Sequence, residues 1–200
     1  MYELGPALFD LLNAKQWVGA VGRPPVYGRG GLAPADVAGI ERQLGFPLPD
    51  DFAYLLANVR DPGQVLFPWA DFSKERYDAL MEWVLEGVLR TVGRSGYWLK
   101  AWGERPEEIA ERVIVVRQNF PNWPKLLPIY GHRFLAAEPC QPGNPVFSIM
   151  HTDIIYYGAN LADYLVTEFI DREHRAVWSV QPIRRIPIWS DFVEGPELPA

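Results

Sequence analysis

The sequence predicts an α+β fold, and two observations support this prediction. Before Pro121, apolar residues recur mostly at the spacing of amphipathic helices. After Pro124, the pattern changes to short segments rich in β-branched and aromatic residues, which turn residues separate. Helices that come first and strands that come later are typical of α+β folds rather than of alternating α/β folds.

The first three predicted helices have recognisable ends. A short amphipathic helix is followed by a Gly- and Pro-rich surface loop or linker from Gly19 to Gly31. The second helix begins at Pro34 and is closed by Gly45, and the third begins at Pro49 and ends in the turn from Asp61 to Gly63. The apolar residues that set the helical spacing are Leu4, Leu8, Leu11 and Leu12 in the first, Val37, Ile40 and Leu44 in the second, and Phe52, Leu55, Leu56 and Val59 in the third.

The next helix has a clear beginning and an ambiguous end. Ser73 is suited to cap its N-terminus, and apolar residues keep the helical period from Tyr77 onwards. We expect this helix to end at Gly87 and the residues from Val88 to Val92 to form a short strand. The apolar pattern also fits a helix that continues to Gly93.

The second half of the chain predicts one more helix, four strands and a last helix. The segment after Pro106 has helical spacing, although the run from Val113 to Val116 favours a strand. The last helix begins at Asn160, which is suited to cap it. The predicted strands are Leu126 to Tyr130, Arg133 to Ala137, Val146 to Met150 and Asp153 to Tyr157.

Charge and cysteine content limit the possible partners and compartments. The 200 residues carry a formal net charge of −6, which disfavours nucleic-acid binding and mildly favours a basic partner. Cys140 is the only cysteine, so an intramolecular disulfide cannot form. The N-terminus does not resemble a signal peptide, and no apolar stretch approaches the roughly 18 residues of a membrane span. We therefore expect a cytoplasmic protein that does not bind membranes.

Three stretches, taken in order, carry a resemblance to a known family. In Ile40 to Phe52, a helix ending in Leu-Gly is followed by Leu-Pro, acidic residues and an aromatic residue. The second stretch joins Trp98–Pro106 with Leu127–Phe134, and the third joins Gly143–Ser148 with Thr152–Gly158. Together they resemble the SMI1/KNR4 (SUKH) superfamily, in particular its bacterial SMI1/KNR4-like branch. One departure is the segment Asn58-Val59-Arg60-Asp61-Pro62-Gly63, where many members carry an Asn-Gly or Gly-Gly turn.

The resemblance implies both a fold and a role. It covers roughly Ala33 to Ile170 and implies a central mixed, mostly antiparallel sheet flanked by helices. We assign residues 33–200 to one domain, with residues 171–200 as a C-terminal extension that the resemblance does not cover. Residues 1–32 would add the N-terminal helix and the Gly/Pro-rich loop. Many bacterial members are immunity proteins that neutralise a toxin of a polymorphic toxin system by binding it, and fungal members act as scaffolds. We therefore expect a non-catalytic protein-binding module that needs no cofactor.

The candidate partner-binding residues lie within or near these stretches. Tryptophans are common anchors of protein interfaces when they are exposed, whereas buried tryptophans fill a core, and we expect at least one of the three candidates to be buried. The candidates are Trp98, Trp102, Trp123, His132, Arg133, Asp153 and Tyr156.

Other functions require other groups of residues. A metal-dependent enzyme or small-ligand sensor could use His132, Glu138, His151 and Asp153, although their spacing matches no diagnostic metal motif. The loop from Gly28 to Gly31 could cradle a phosphate, but the lysine of a P-loop is missing and a linker is favoured. Cys140 is interpreted as a buried apolar residue rather than a nucleophile. A self-associating scaffold is a further alternative.

Overall fold

The computed structural model describes residues 3–15, 24–180 and 182–195 of the chain. Within these ranges the chain forms eight α-helices and six β-strands. The helices are α1 (Pro6–Ala14), α2 (Pro34–Leu44), α3 (Asp50–Asn58), α4 (Lys74–Arg94), α5 (Ile109–Asn119), α6 (Leu161–Phe169), α7 (His174–Trp178) and α8 (Trp189–Glu194). The strands are β1 (Val26–Tyr27), β2 (Val59–Arg60), β3 (Leu126–Tyr130), β4 (Arg133–Ala136), β5 (Val146–Met150) and β6 (Asp153–Gly158).

The four C-terminal strands form the central sheet. They pair in the order β3-β4-β5-β6, each antiparallel to the next, and β1 pairs with β2 in a separate antiparallel ribbon. The predicted α+β fold, with a sheet flanked by helices, is confirmed. Every strand pair among the described residues is antiparallel.

The sheet separates two hydrophobic clusters because both of its faces are buried. Along β4, Phe134 belongs to one cluster and the next residue, Leu135, belongs to the other, as the alternation of side chains in a strand requires. The first cluster includes buried residues of α1, α2, α3 and α6, and the second includes those of α4, α5 and α8. Covered strands of this kind are apolar at almost every position, which explains their near-continuous apolar sequence.

The predicted helix ends are confirmed at three positions. Gly45 has a φ of 81° and donates its N–H to the Glu41 carbonyl, which closes α2. The Ser73 hydroxyl accepts a hydrogen bond from the Arg76 N–H at the start of α4. Asn160 caps α6 in the same way, because its side-chain oxygen accepts from the Asp163 N–H at 2.9 Å.

The predicted strand from Val88 to Val92 is wrong, because α4 continues without a break to Arg94. Val88 and Val92 are fully buried in the second cluster, so packing outweighs their strand propensity. Gly87 lies inside the helix and does not end it. Because Gly87 has no side chain, His151 of the β5–β6 turn can pack closely against the helix at this position. The run from Val113 to Val116 is likewise helical, within α5.

The chain after Ile170 packs against the sheet and is neither an edge strand nor a free arm within residues 182–195. Ile186 is fully buried, and the Trp189 indole donates a hydrogen bond to the Pro124 carbonyl at 2.7 Å. The Ser190 hydroxyl lies 2.7 Å from the Tyr156 hydroxyl on β6. These contacts hold α8 over the second cluster.

The glycine-rich loop before α2 is bound to the end of α3. Residues 19–23 of the predicted loop lie outside the described residues, whereas Gly28 and Gly31 donate their N–H groups to the carbonyls of Asn58 and Ala57 at 2.6 and 3.2 Å. A Cβ atom on Gly31 would lie 2.1 Å from the Leu56 carbonyl oxygen, so this close approach requires glycine. The loop therefore satisfies the last carbonyls of a helix.

The predicted N-terminal helix is confirmed as α1, and Leu8, Phe9 and Leu12 bury its apolar side in the first cluster. Among the described residues, we find no helix that combines the length and the apolar character needed to cross a bilayer.

Candidate functional site

The predicted tryptophans lie together in an aromatic group of the second cluster. The rings of Trp102 and Trp123 are stacked at 5.8 Å, and these residues are only 7% and 4% exposed. Trp98 is half-buried and meets Trp102 edge-on at 5.1 Å. Trp102 and Trp123 thus fill a core, which is the second of the two roles considered for the tryptophans. They do not offer exposed anchors to a partner. Tyr156 lies on the same side of the sheet and is half-buried.

The other three predicted residues lie at one end of the sheet. His132 is in the β3–β4 turn and Asp153 follows the β5–β6 turn, and a meander places these two turns at the same end, here called the turn end. Asp153 is exposed, whereas His132 and Arg133 are half-buried. Burial, and then the charge of Arg133, lower the pKa of His132, which favours the neutral ring.

The four residues of the alternative metal or ligand site do not converge. Glu138 follows β4 at the end of the sheet opposite the turn end, and His151 packs on Gly87. Across the described residues, no group of three or more His, Cys, Asp or Glu side chains could hold a metal ion. The strand directions carry Glu138 away from the other three residues, so the structure does not assemble the four-residue site that the sequence suggested.

Cys140 is exposed, so its interpretation as a buried apolar residue is wrong. It lies in the loop between β4 and β5, where the chain leaves the sheet. Partial burial and the carboxylates of Asp50, Glu41 and Asp51 raise the pKa of its thiol. A thiol with a raised pKa is a poor nucleophile at neutral pH.

Arg133 is the centre of a network that reaches two further strands and a helix. Its Nε donates to Glu168 Oε2 on α6 at 3.2 Å, and one Nη donates to Ser148 Oγ on β5 at 2.9 Å. Its guanidinium lies 3.8 Å from the centre of the Tyr157 ring on β6. The side chains of Arg133 and Glu168 are only 14% and 8% exposed. These contacts fix the orientation of the guanidinium.

Helix α7 brings a second guanidinium to the same tyrosine. Arg175 lies 5.5 Å from the centre of the Tyr157 ring. Two contacts hold α7 on α6: His174 Nε2 lies 2.9 Å from Oδ1 of the buried Asp163, and the Trp178 indole donates to Thr167 Oγ1 at 2.9 Å. The sequence did not predict this network, because its contacts join residues that are distant along the chain. The sequence pattern predicted only the cap at the start of α6.

Exposed apolar side chains surround Arg133 at the turn end. Tyr130 and Met150 are 36% and 41% exposed, and Ile155 is half-buried. Ile155 pairs with Ser148, and Met150 pairs with Asp153, so these positions lie on the Arg133 face of the sheet. We name the group of Tyr130, Arg133, Met150, Ile155, Tyr157 and Arg175 the Arg133 surface.

The Arg133 surface offers apolar contact area around an oriented cation. Tyr, Met and Arg are enriched in protein interfaces. The predicted residues His132 and Asp153 lie at its edge.

Comparisons with protein-family models, with curated proteins and with solved structures find no match for this chain. The resemblance to the SMI1/KNR4 superfamily therefore stays a prediction from the quoted stretches.

Proposed function

We propose that this protein is a non-catalytic protein-binding module whose partner docks on the Arg133 surface. The observation that supports the proposal is a fixed, mostly buried guanidinium with Tyr130 and Met150 exposed beside it. Side chains that are already ordered lose little conformational entropy when a partner binds, so they favour affinity. Arg and Tyr are also the residue types that most often dominate binding energy.

The partner that we propose is a toxin domain, and the protein would then be an immunity protein. The resemblance of the three quoted stretches supports this choice. The net charge of −6 supports a basic toxin, such as a nuclease, which the acidic chain would attract over long range. We propose the cytoplasm as the compartment, where the exposed thiol of Cys140 would stay reduced.

Met150→Glu tests the proposal because Met150 is exposed and a charge there should not disturb the core. Wild-type and variant proteins are used as bait in lysate of the source organism, and captured proteins are quantified by mass spectrometry. We expect one dominant partner, and we expect Met150→Glu to weaken its binding about tenfold or more, as measured with the purified pair.

The matched control is Ile114→Glu, which places the same charge on an exposed isoleucine of α5, a helix that packs on the other side of the sheet. This control should bind the partner within about twofold of wild type. Equal binding by Met150→Glu, or loss of binding in Ile114→Glu, contradicts the proposed surface. If the protein instead forms a concentration-dependent dimer that Met150→Glu abolishes, then the partner at this surface is a second copy of the chain and not a toxin.

A further inference from the structure

A cavity of about 810 Å³ lies on the first-cluster side of the sheet, and none of the six residues of the Arg133 surface lines it. Its walls come from α3, from the β1–β2 ribbon and from the segment after β2, with Ile129 of β3 as the contribution of the central sheet. The volume falls within the range of about 300–1,000 Å³ that is typical of small-molecule sites.

The walls of this cavity are mainly apolar and partly aromatic. Phe52, Phe67 and Trp69 line it, and the Trp69 ring meets the other two at 5.3 and 5.0 Å. Phe52 and Trp69 are 1% and 6% exposed and Phe67 is half-buried, so Phe67 offers most of the aromatic contact area, and ring faces also attract cations. The walls therefore suit a small molecule with a flat apolar body.

Two hydrogen bonds fix the outer wall of the cavity to the edge of the sheet. The Phe67 N–H donates to the Ile129 carbonyl at 2.7 Å, and the Trp69 indole donates to the Pro128 carbonyl at 2.9 Å. Gln64, which also lines the cavity, has a φ of 52°. Such a conformation is unfavourable for a residue other than glycine and is often found at binding sites.

Asp61 supplies a negative charge in this apolar setting. Its Oδ2 accepts a hydrogen bond from the Leu66 N–H at 2.6 Å, whereas its Oδ1 is buried and accepts none from the residues that the structure describes. A buried carboxylate oxygen without a donor is costly, and an opposite charge nearby reduces this cost. The cavity also contains Arg60 and Asp71, so the charged side chains in its walls sum to one negative charge.

We infer that this cavity binds a small amphipathic amine, with its flat apolar body against the aromatic wall and its ammonium group as the counter-charge of Asp61. The charge of Asp61 favours an ammonium over a neutral or anionic group, and the neighbouring ring faces favour it further. The cavity shares no lining residue with the Arg133 surface, so the inference does not rest on the proposed partner-binding role.

Three probes with the same apolar body test the inference: naphthylethylamine, naphthylethanol and naphthylpropionate. Isothermal titration calorimetry at pH 7 measures the affinity of each for the full chain. We expect the amine to bind about tenfold more tightly than the alcohol, and the carboxylate to bind most weakly. No binding of the amine at millimolar concentration, or equal binding of all three probes, would overturn the inference.

Asp61→Asn tests whether the charge of Asp61 is responsible for the preference for the amine. Asparagine keeps an oxygen that can accept the Leu66 N–H, so the fold should survive while the charge is lost. The amine should then bind no better than the alcohol. The control is Asp71→Asn, an exposed acid of the same cavity, which should change the affinity for the amine by less than about threefold. An unchanged affinity in Asp61→Asn contradicts the inference.

Ala70→Trp tests the location of the probe. Ala70 is exposed and lines the cavity, so a large side chain there should obstruct it without entering the core. We expect binding of both the amine and the alcohol to fall about tenfold or more. Amine binding that survives this substitution would place the site elsewhere, and this readout remains valid if Asp61→Asn does not fold.

Discussion

At the scale of single residues, Arg133 and Glu168 show how strongly burial changes the value of an ion pair. Their side chains are 14% and 8% exposed, whereas the pair Lys74–Asp78 on α4 is 43% and 53% exposed. An exposed pair contributes at most about 1 kcal/mol, because water screens both charges. Removing one member of a buried pair leaves a charge without compensation, which costs several kcal/mol.

Glu168→Gln is therefore expected to lower the free energy of unfolding by about 3 kcal/mol, because Arg133 would keep its charge in a mostly buried place. Urea denaturation followed by circular dichroism measures this change. Asp78→Asn is the control, and it should change the same quantity by less than about 0.5 kcal/mol. Equal effects of the two substitutions would show that the buried pair has no special role.

The sequence indicated Arg133 as a candidate but did not indicate its partners. Ser148 and Glu168 are separated from it by 15 and 35 positions, and strand pairing and the packing of α6 bring them together. For the tryptophans, the sequence indicated the candidate residues but did not determine which of them would be exposed. Both outcomes have one cause: side-chain environment depends on contacts between distant segments.

At the scale of elements, α4 shows where local signals are sufficient and where they are not. The capping residue Ser73 and the helical period predicted its beginning correctly. Its end was predicted wrongly at Gly87, because a glycine can mark either a helix end or a close approach of another segment. Only the position of the β5–β6 turn, which packs on this glycine, distinguishes the two.

Gly87→Ala and Gly93→Ala form a matched pair within α4. A Cβ on Gly87 would lie 3.1 Å from the Cα of His151, whereas the nearest described atom to a Cβ on Gly93 is Val113 Cγ2 at 4.0 Å. We expect Gly87→Ala to destabilise the protein by about 1–3 kcal/mol. Gly93→Ala should stabilise it by up to about 1 kcal/mol, because alanine favours the helix.

Thermal and urea unfolding of both variants provide the measurement. If Gly87→Ala is as stable as Gly93→Ala, then the β5–β6 turn does not pack on α4 as closely as described.

The strand boundaries were predicted more accurately than the end of α4. The predicted ranges of β3 and β5 match the structure, because each is a short apolar run between turn residues. Which cluster each strand residue joins was not predictable, since both faces of the sheet are apolar. The cavity beside Asp61 had no sequence signal either, because its walls come from segments between Pro24 and Ile129.

At the scale of the whole molecule, the two clusters bury several tyrosines and thereby change their ionisation. Burial is the largest cause of a raised pKa at five of the eight tyrosines that the structure describes, and it raises the pKa of Tyr97 to about 12. The affected residues are Tyr27, Tyr77, Tyr97, Tyr156 and Tyr164. Free tyrosine ionises near pH 10, so folding favours the neutral phenol at each of these positions.

This burial predicts a loss of stability in alkali. A pKa that is higher in the folded state gives stability that is complete below the unfolded value of about 10 and is lost as the pH rises towards 12. Phenolate absorbance and circular dichroism, recorded together from pH 8 upwards, should show that some tyrosines ionise only as the fold is lost. Tyr97→Phe should make stability less dependent on pH above 10. Ionisation of all nine near pH 10 in an intact fold contradicts the prediction.

The position of the sheet between two clusters has a consequence for biosynthesis. The strands leave the ribosome before α6, which contributes Leu165 and Val166 to one cluster, and before α8, which contributes Trp189 and Phe192 to the other. Until these helices emerge, both sides of the nascent sheet expose apolar area to which chaperones bind and through which chains aggregate. A chain that stopped after β6 would therefore be a target for quality control.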